Sequence, residues 1–315
     1  MSTDRPLHSP SPGARAVTII GAAGGFGRLF GRRLAGTAIL SQVDVAQPAA
    51  GSPPLLHPDH HWPAIAAALA QSDIALFCTS EEVLSAILPR YIPALKPGAL
   101  IVDICSVKRR IVAQVAEHIR ATTLTHLSIH PMFGPHVGFK DQNVVCITPS
   151  APSPAHPFKH TPAAAFLLTL LADQGARIHW MTAEHHDRGV IATQVFCHSA
   201  LMSLGLAVQS TGLTPENLRA LQTPNSRVLF ALLAHLAAND PDLYFNIQSN
   251  SDPDTRRQLS TAAAKLAQSI DTSDRHGFTE MFTSISRWFG EDRAGFEAAA
   301  KGILSSLPTP ARKQP

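Results

Sequence analysis

A run of strand, glycine turn and helix near the N-terminus constrains this chain more than any other feature. Ala16-Val17-Thr18-Ile19-Ile20 is short, apolar and β-rich. Gly21-Ala22-Ala23-Gly24-Gly25-Phe26-Gly27 follows at once, and residues 28–35 then place Leu29, Phe30 and Leu34 on one helical side. Glycines let a backbone approach a pyrophosphate closely, and the helix after them offers free N–H groups and the positive end of its dipole. The spacing is Gly21-x-x-Gly24-x-x-Gly27; the commoner G-x-G-x-x-G form would need glycine where Ala22 stands. A plain glycine-rich turn is the bland alternative. The position between a clean strand and a clean helix favours nucleotide binding.

The pattern then alternates. Strands are expected at 39–46, 73–78, 99–104, 125–129, 143–148 and 177–181, with helices at 62–69, 81–87 and 108–120 and a Pro/Gly-rich loop over 47–60. Alternating β and α units predict a parallel, doubly wound, Rossmann-like α/β sheet over residues 15–181. After about residue 182 strand signals almost vanish. Helices are expected at 183–209 (one long apolar-periodic run), 214–221, 226–238, 241–249, 254–269 and 275–290, making an all-α second domain over 182–306. Residues 1–14 and 307–315 read as tails.

Composition narrows the functional classes. A length of 315 residues suits two domains, and 45% hydrophobic against 16% charged residues allows a sizeable core. The net charge of +3 is scattered, so no nucleic-acid or membrane-surface patch is expected. No apolar segment reads as long and clean enough to span a bilayer. Cys78, Cys105, Cys146 and Cys197 form no C-x-x-C pair and no secretory segment precedes them, which points to reduced thiols in a cytoplasmic protein.

An acid at the end of the second strand should meet an adenine ribose. Asp44 fits roughly, with Gln47 as the alternative, so NAD is expected and NADP stays open. Arg28, Arg32 and Arg33 are either 2′-phosphate contacts or a solvated helix face. Further on stand Asp103-Ile104-Cys105-Ser106-Val107-Lys108, then His130-Pro131-Met132-Phe133-Gly134-Pro135. Glu184-His185-His186-Asp187, Gln194 to His198, and Arg287-Trp288-Phe289-Gly290 follow. With the glycine turn, these segments resemble the prephenate dehydrogenase family from about residue 15 to about 300. The D-x-x-S-V-K and H-P-M-F-G-P pieces are the specific ones. The resemblance is closest to the dehydrogenase part of bifunctional chorismate mutase/prephenate dehydrogenases, with neither a mutase nor a regulatory ACT domain expected here.

The resemblance implies roles. His130 is the expected catalytic histidine, drawing the proton from the substrate's C4 hydroxyl as hydride leaves, a task suited to an imidazole. Ser106 is expected to hydrogen-bond His130 and sit near the nicotinamide; a helix N-cap is its bland role. Arg227 is the expected carboxylate clamp, and Gln194 and His198 line the substrate pocket. Gly21, Gly24, Phe26, Gly27, Asp44, Thr79 and Ser106 make the expected cofactor set. No metal is expected: His185 and His186 are adjacent on a helix and point apart, so His186-Asp187 reads as a cap. Cys105 and Cys197 read as packing residues. The expected partners are a small-molecule substrate and a second copy of the chain, with the active site in a cleft between the two halves.

Prephenate, arogenate and 4-amino-4-deoxyprephenate all remain open as substrates. A catalytically idle NAD-binding homologue is the rival from another class. A β-hydroxyacid dehydrogenase is disfavoured, because residues 184–198 offer neither the lysine nor the asparagine which that class uses.

Overall fold

The structure is a computed structural model that describes residues 14–46, 53–148, 161–249 and 251–307. The expected tails up to residue 13 and from residue 308, Gln47, and loop residues 47–52 lie outside the described residues. The described chain divides into two compact units, one up to Val190 and one from Ile191.

The first unit alternates as the sequence suggests. Its order is β1 (Arg15–Ile20), α1 (Gly25–Leu34), β2 (Ala38–Val43), α2 (Trp62–Leu69), β3 (Ile74–Phe77), α3 (Glu81–Tyr91), β4 (Leu100–Asp103), α4 (Arg109–Ile119), β5 (Thr125–Pro131), β6 (Asn143–Thr148), α5 (Pro162–Asp173), β7 (Arg177–Thr182) and α6 (Ala183–Val190). The sheet order is β2-β1-β3-β4-β5-β6-β7. Side chains alternate across it. Val17, Ile19, Ile74 and Leu76 join one buried cluster with Leu29 and Phe30 of α1 and Leu167 of α5. Ala75, Phe77 and Ile101 join the other with Ile65, Leu84 and Ile111 of α2, α3 and α4.

The sheet departs from the expected all-parallel form at one place. Strands β1 to β5 are parallel. β6 runs antiparallel to β5, with His130 opposite Val145, and β7 then runs parallel to β6. The link over 132–142 holds no helix, and a parallel return needs a longer crossover. Two more features escaped the sequence reading. α5 is nearly uniformly apolar, so it has no 3.6-residue alternation to detect. α3 runs on to Tyr91 through Pro89 instead of stopping at 87. An interior proline costs about 3 kcal/mol. Buried Leu88, Tyr91 and Ile92 offset that, at about 1.5–3 kcal/mol for each large aliphatic side chain.

The second unit is all helix. A π-helical turn over Ile191–Phe196 leads into α7 (Cys197–Gln209), followed by α8 (Pro215–Leu221), α9 (Pro224–Ala237), α10 (Pro241–Ser249), α11 (Pro253–Asp271), α12 (Arg275–Phe289) and α13 (Arg293–Ser306). The last of these was not expected; Gly295 and Gly302 blur its helical signal. Thr214 and Thr223 open α8 and α9 with capping boxes. α7 packs on α9 where Gly205 faces Leu233; a Cβ at 205 would sit 3.0 Å from Leu233 Cδ2.

The helical run Ala183–Gln209 overturns one expectation. By length and composition it is apolar enough to cross a membrane, an 18-residue stretch within it having a mean hydropathy of 1.5. Gln194 and His198 interrupt the run, but the apolar residues around them outweigh the two. One such helix is weak evidence of a span, and hydrocarbon would leave polar atoms of Gln194 and His198 unsatisfied.

Candidate active site

β1 to β5 are parallel, so their carboxyl ends share one edge of the sheet. The strand order reverses between β1 and β3, and the crevice there is where open α/β sheets take ligands. Gly21 follows β1 with φ of 82°, and a Cβ on it would lie 2.5 Å from the Cys78 carbonyl oxygen after β3. A Cβ on Gly27 would overlap the Gly21 carbonyl oxygen. Only glycine fits these two positions. Gly24 is the N-cap of α1 and supplies no side-chain cap. The N–H groups of Gly25, Phe26 and Gly27 therefore open the helix with no intrahelical acceptor. Nearby, Thr79 Oγ1 is buried with no partner. A glycine cradle, free helix N–H groups and an orphaned hydroxyl fit a dinucleotide phosphate.

Asp44 follows β2 and turns back to the glycine turn. Its Oδ2 accepts the Ala23 N–H at 2.7 Å and its Oδ1 the Ala46 N–H at 2.9 Å. Its first role is thus to brace the turn. Arg28 donates to the Ala23 carbonyl, and Arg28, Arg32 and Arg33 are all exposed, as a solvated face would be. Phe26 meets Phe133 edge-on with centroids 5.8 Å apart, and a Cβ on Gly25 would meet Pro135 Cγ at 2.5 Å. The glycine turn and the H-P-M-F-G-P segment therefore pack together.

The D-x-x-S-V-K segment explains how His130 is held. Lys108 is fully buried; its Nζ donates to Asp103 Oδ1 at 2.9 Å and to the Ile129 carbonyl at 2.7 Å, one residue before His130. Asp103 Oδ2 pairs with His126 Nε2 at 2.7 Å, and its Oδ1 also accepts the Cys105 N–H at 3.0 Å. Burial raises the Asp103 carboxyl, but the Lys108 ammonium and the His126 hydrogen bond outweigh it and hold it well below the carboxylate range.

His130 is 5% exposed. Burial, then the Lys108 ammonium and His186, push it well below the ordinary histidine value, so it is neutral at physiological pH. The expected bond to Ser106 is not formed. His130 Nδ1 instead lies 2.8 Å from Nε2 of His186, which is 2% exposed. His186 Nδ1 lies 2.8 Å from Asp187 Oδ1. Asp187 accepts the N–H groups of Lys108 and Arg109, each at 2.9 Å. The bland roles are corrected too. Ser106 does not cap α4, whose N-cap Lys108 has no side-chain cap of its own. Asp187 supplies that cap from α6. His185 is exposed while His186 is buried, so the two do not converge.

The remaining candidates lie in the helical unit. Gln194 sits in the π-helical turn, and its Oε1 is buried without a partner, as is His198 Nδ1. Such turns recur at functional sites. Gln248 Nε2 stitches this one down by donating to the Val195 carbonyl at 3.0 Å. His198 packs edge-on to Tyr244 at 4.9 Å, and burial lowers its pKa. Arg227 stands in the first turns of α9, half-buried.

A glycine cradle at the switch point of a mainly parallel sheet defines the first unit as a dinucleotide-binding α/β domain of the dehydrogenase type. Residues 59–179 match the family profile "Prephenate dehydrogenase, nucleotide-binding domain", a stretch containing both motifs that frame His130. A 4-amino-4-deoxyprephenate dehydrogenase of Streptomyces pristinaespiralis is 28% identical, over 92% of this chain and 96% of its own length. The T-protein of Enterobacter agglomerans is 25% identical, over 96% of this chain and 75% of its own. In fold, the chain resembles prephenate dehydrogenase from Aquifex aeolicus, solved with hydroxyphenyl propionate and NAD+. The TM-score is 0.61 at 16% identity, covering 88% of this chain and 97% of that one. The chain is thus similar to prephenate dehydrogenases, through the nucleotide-binding domain matched over residues 59–179 and through these relatives.

Proposed function

We propose that this chain is an NAD-dependent dehydrogenase that oxidatively decarboxylates prephenate to 4-hydroxyphenylpyruvate, a cytoplasmic step of aromatic amino acid biosynthesis. The observation that carries the reading is His130, a buried neutral imidazole on the same strand edge as the glycine turn. The bound nicotinamide supplies the hydride acceptor. His130 accepts the hydroxyl proton as the C–H bond at ring C4 gives up its hydride. The resulting dienone loses carbon dioxide, whose departing bond pair aromatises the ring to a phenolate. His130 then returns the proton to that oxygen. Gly21, Gly24, Phe26 and Gly27 hold the pyrophosphate. Thr79 and Ser106 line the nicotinamide side, and Asp44, placed after β2, favours an unphosphorylated ribose. Gln194, His198 and Arg227 bind the substrate's side-chain and carboxylate groups.

A second reading has a specific support. The Streptomyces relative aligns over nearly its whole length, so 4-amino-4-deoxyprephenate is the alternative substrate. Purified protein assayed for NADH with prephenate, arogenate and 4-amino-4-deoxyprephenate tests both readings. Prephenate turning over fastest supports the first; a clear preference for the amino compound replaces it. Nucleotide binding without turnover of any of the three would mean an idle homologue.

Arg227→Ala is expected to raise KM by roughly 10- to 100-fold, the range for losing a charge-assisted hydrogen bond, with a smaller change in kcat. An unaltered KM would mean that another group clamps the carboxylate. The helical unit also leaves Leu206, Phe245, Phe282 and Trp288 exposed, which supports a homodimer formed through this unit. Sedimentation at micromolar concentration should give twice the chain mass; a monomer contradicts it.

A further inference from the structure

We propose that His186, braced by Asp187, is the positioning residue that selects Nε2 of His130 as the proton-accepting atom. This rests on the reading of His130 as the base and adds the device that makes it one.

The hydrogens along the chain of contacts follow from what each atom can do. Asp187 is ionised: burial raises its carboxyl, but the bond from His186 and the N–H groups of Arg109 and Lys108 outweigh that and lower it. A carboxylate only accepts, so the hydrogen between Asp187 Oδ1 and His186 Nδ1, 2.8 Å apart, sits on His186. A neutral His186 then has a lone pair on Nε2. The contact of 2.8 Å from that Nε2 to His130 Nδ1 needs one hydrogen, and only His130 can supply it. His130 is therefore the Nδ1–H tautomer, with its lone pair on Nε2. With both rings neutral and Asp187 ionised, no other arrangement satisfies both contacts.

The same chain handles charge. When Nε2 takes the substrate proton, the Nδ1–H proton can pass to His186, whose imidazolium then rests against Asp187. The movement reverses as the proton returns to the product phenolate, so no proton is gained or lost over the cycle. Other charged or titratable groups around the pair are Lys108 and Asp103 from the β4–α4 corner, which neutralise one another at 2.9 Å. Cys146 of β6 has its thiol pushed up to about 12 by burial, and stays neutral. Asp187 presents its negative charge to His186 at 2.8 Å. Its two backbone bonds at the start of α4 hold that carboxylate still, which the bland role of a satisfied core histidine does not require.

His186→Leu and His186→Gln separate the possibilities. Leucine removes the acceptor. Glutamine keeps one, its Oε1 lying where Nε2 was, but cannot carry the proton onward. Leucine is expected to lower kcat by roughly 10²-fold, within the range for general-base assistance, with KM and NAD affinity near parental. Glutamine should recover part of that loss. Equal losses in both variants, or a kcat loss matched by KM and NAD affinity, would mean a structural role only. A parental kcat in His186→Leu overturns the proposal, while a parental kcat in His130→Asn overturns the base reading beneath it. If the variants do not fold, long-range 1H–15N correlation on the unaltered enzyme decides. The Nδ1–H tautomer of His130 is expected at neutral pH, and the Nε2–H tautomer refutes the proposal.

Discussion

Replacing His130 by asparagine is expected to lower kcat by roughly 10²- to 10⁴-fold, the usual contribution of a positioned general base, while NAD affinity stays near parental. Asparagine keeps a donor toward His186 and roughly fills the space, but has no nitrogen that accepts a proton. The surrounding strand should survive, because Lys108 holds the Ile129 carbonyl whatever follows at 130. The loss should therefore appear in the chemical step. Single-turnover absorbance with saturating NAD and prephenate separates the two effects. A normal rate would remove His130 from the mechanism, and a loss of NAD binding would make its role structural. The pH profile carries a further sign. Because the pKa of His130 is depressed, the base stays neutral below the ordinary histidine value, so the acid limb of kcat/KM should lie below about 6.5.

Lys108→Met is the substitution expected to cost the most stability, about 3–5 kcal/mol by urea denaturation, because it leaves the Asp103 carboxylate buried beside a single histidine. The double variant Asp103→Asn with Lys108→Met should be much closer to parental, since both charges leave together. A single variant with a parental midpoint would mean that water already reaches the pair. The pH dependence follows from the depressed Asp103 value. The pair's contribution is present at every pH above the unfolded carboxylate range, and it is lost only as pH falls through the folded value in strong acid. Methionine also removes an ammonium that holds His130 down, so the acid limb of activity should move up.

Much of this was legible in the sequence, and the gaps have physical causes. The glycine turn announced its own geometry, because positions 21 and 27 tolerate nothing larger. The motifs around Asp103 and His130 located the strand edge, and the ion pair linking them shows why Lys108 belongs to the motif. The partner of His130 was not legible. Ser106, the serine of the D-x-x-S-V-K motif, was the partner the resemblance implied, whereas His186 lies 56 residues from His130 and meets it only once β6, β7 and α6 have folded back. Local reasoning recognised Asp187 as a capping type but assigned the wrong helix. A carboxylate that caps across the fold leaves no spacing signal. The antiparallel β6 was hidden similarly, since periodicity fixes the strand but not its direction.

The proposed chemistry requires Nε2 of His130 to face the ring oxygen of the substrate during turnover. A crystal structure with NAD and 4-hydroxyphenylpropionate bound measures this. The expected result is Nε2 within about 2.6–3.2 Å of the ring oxygen, with Nδ1 still on His186. An imidazole turned out of that site, with some other side chain on the ring oxygen, would contradict it.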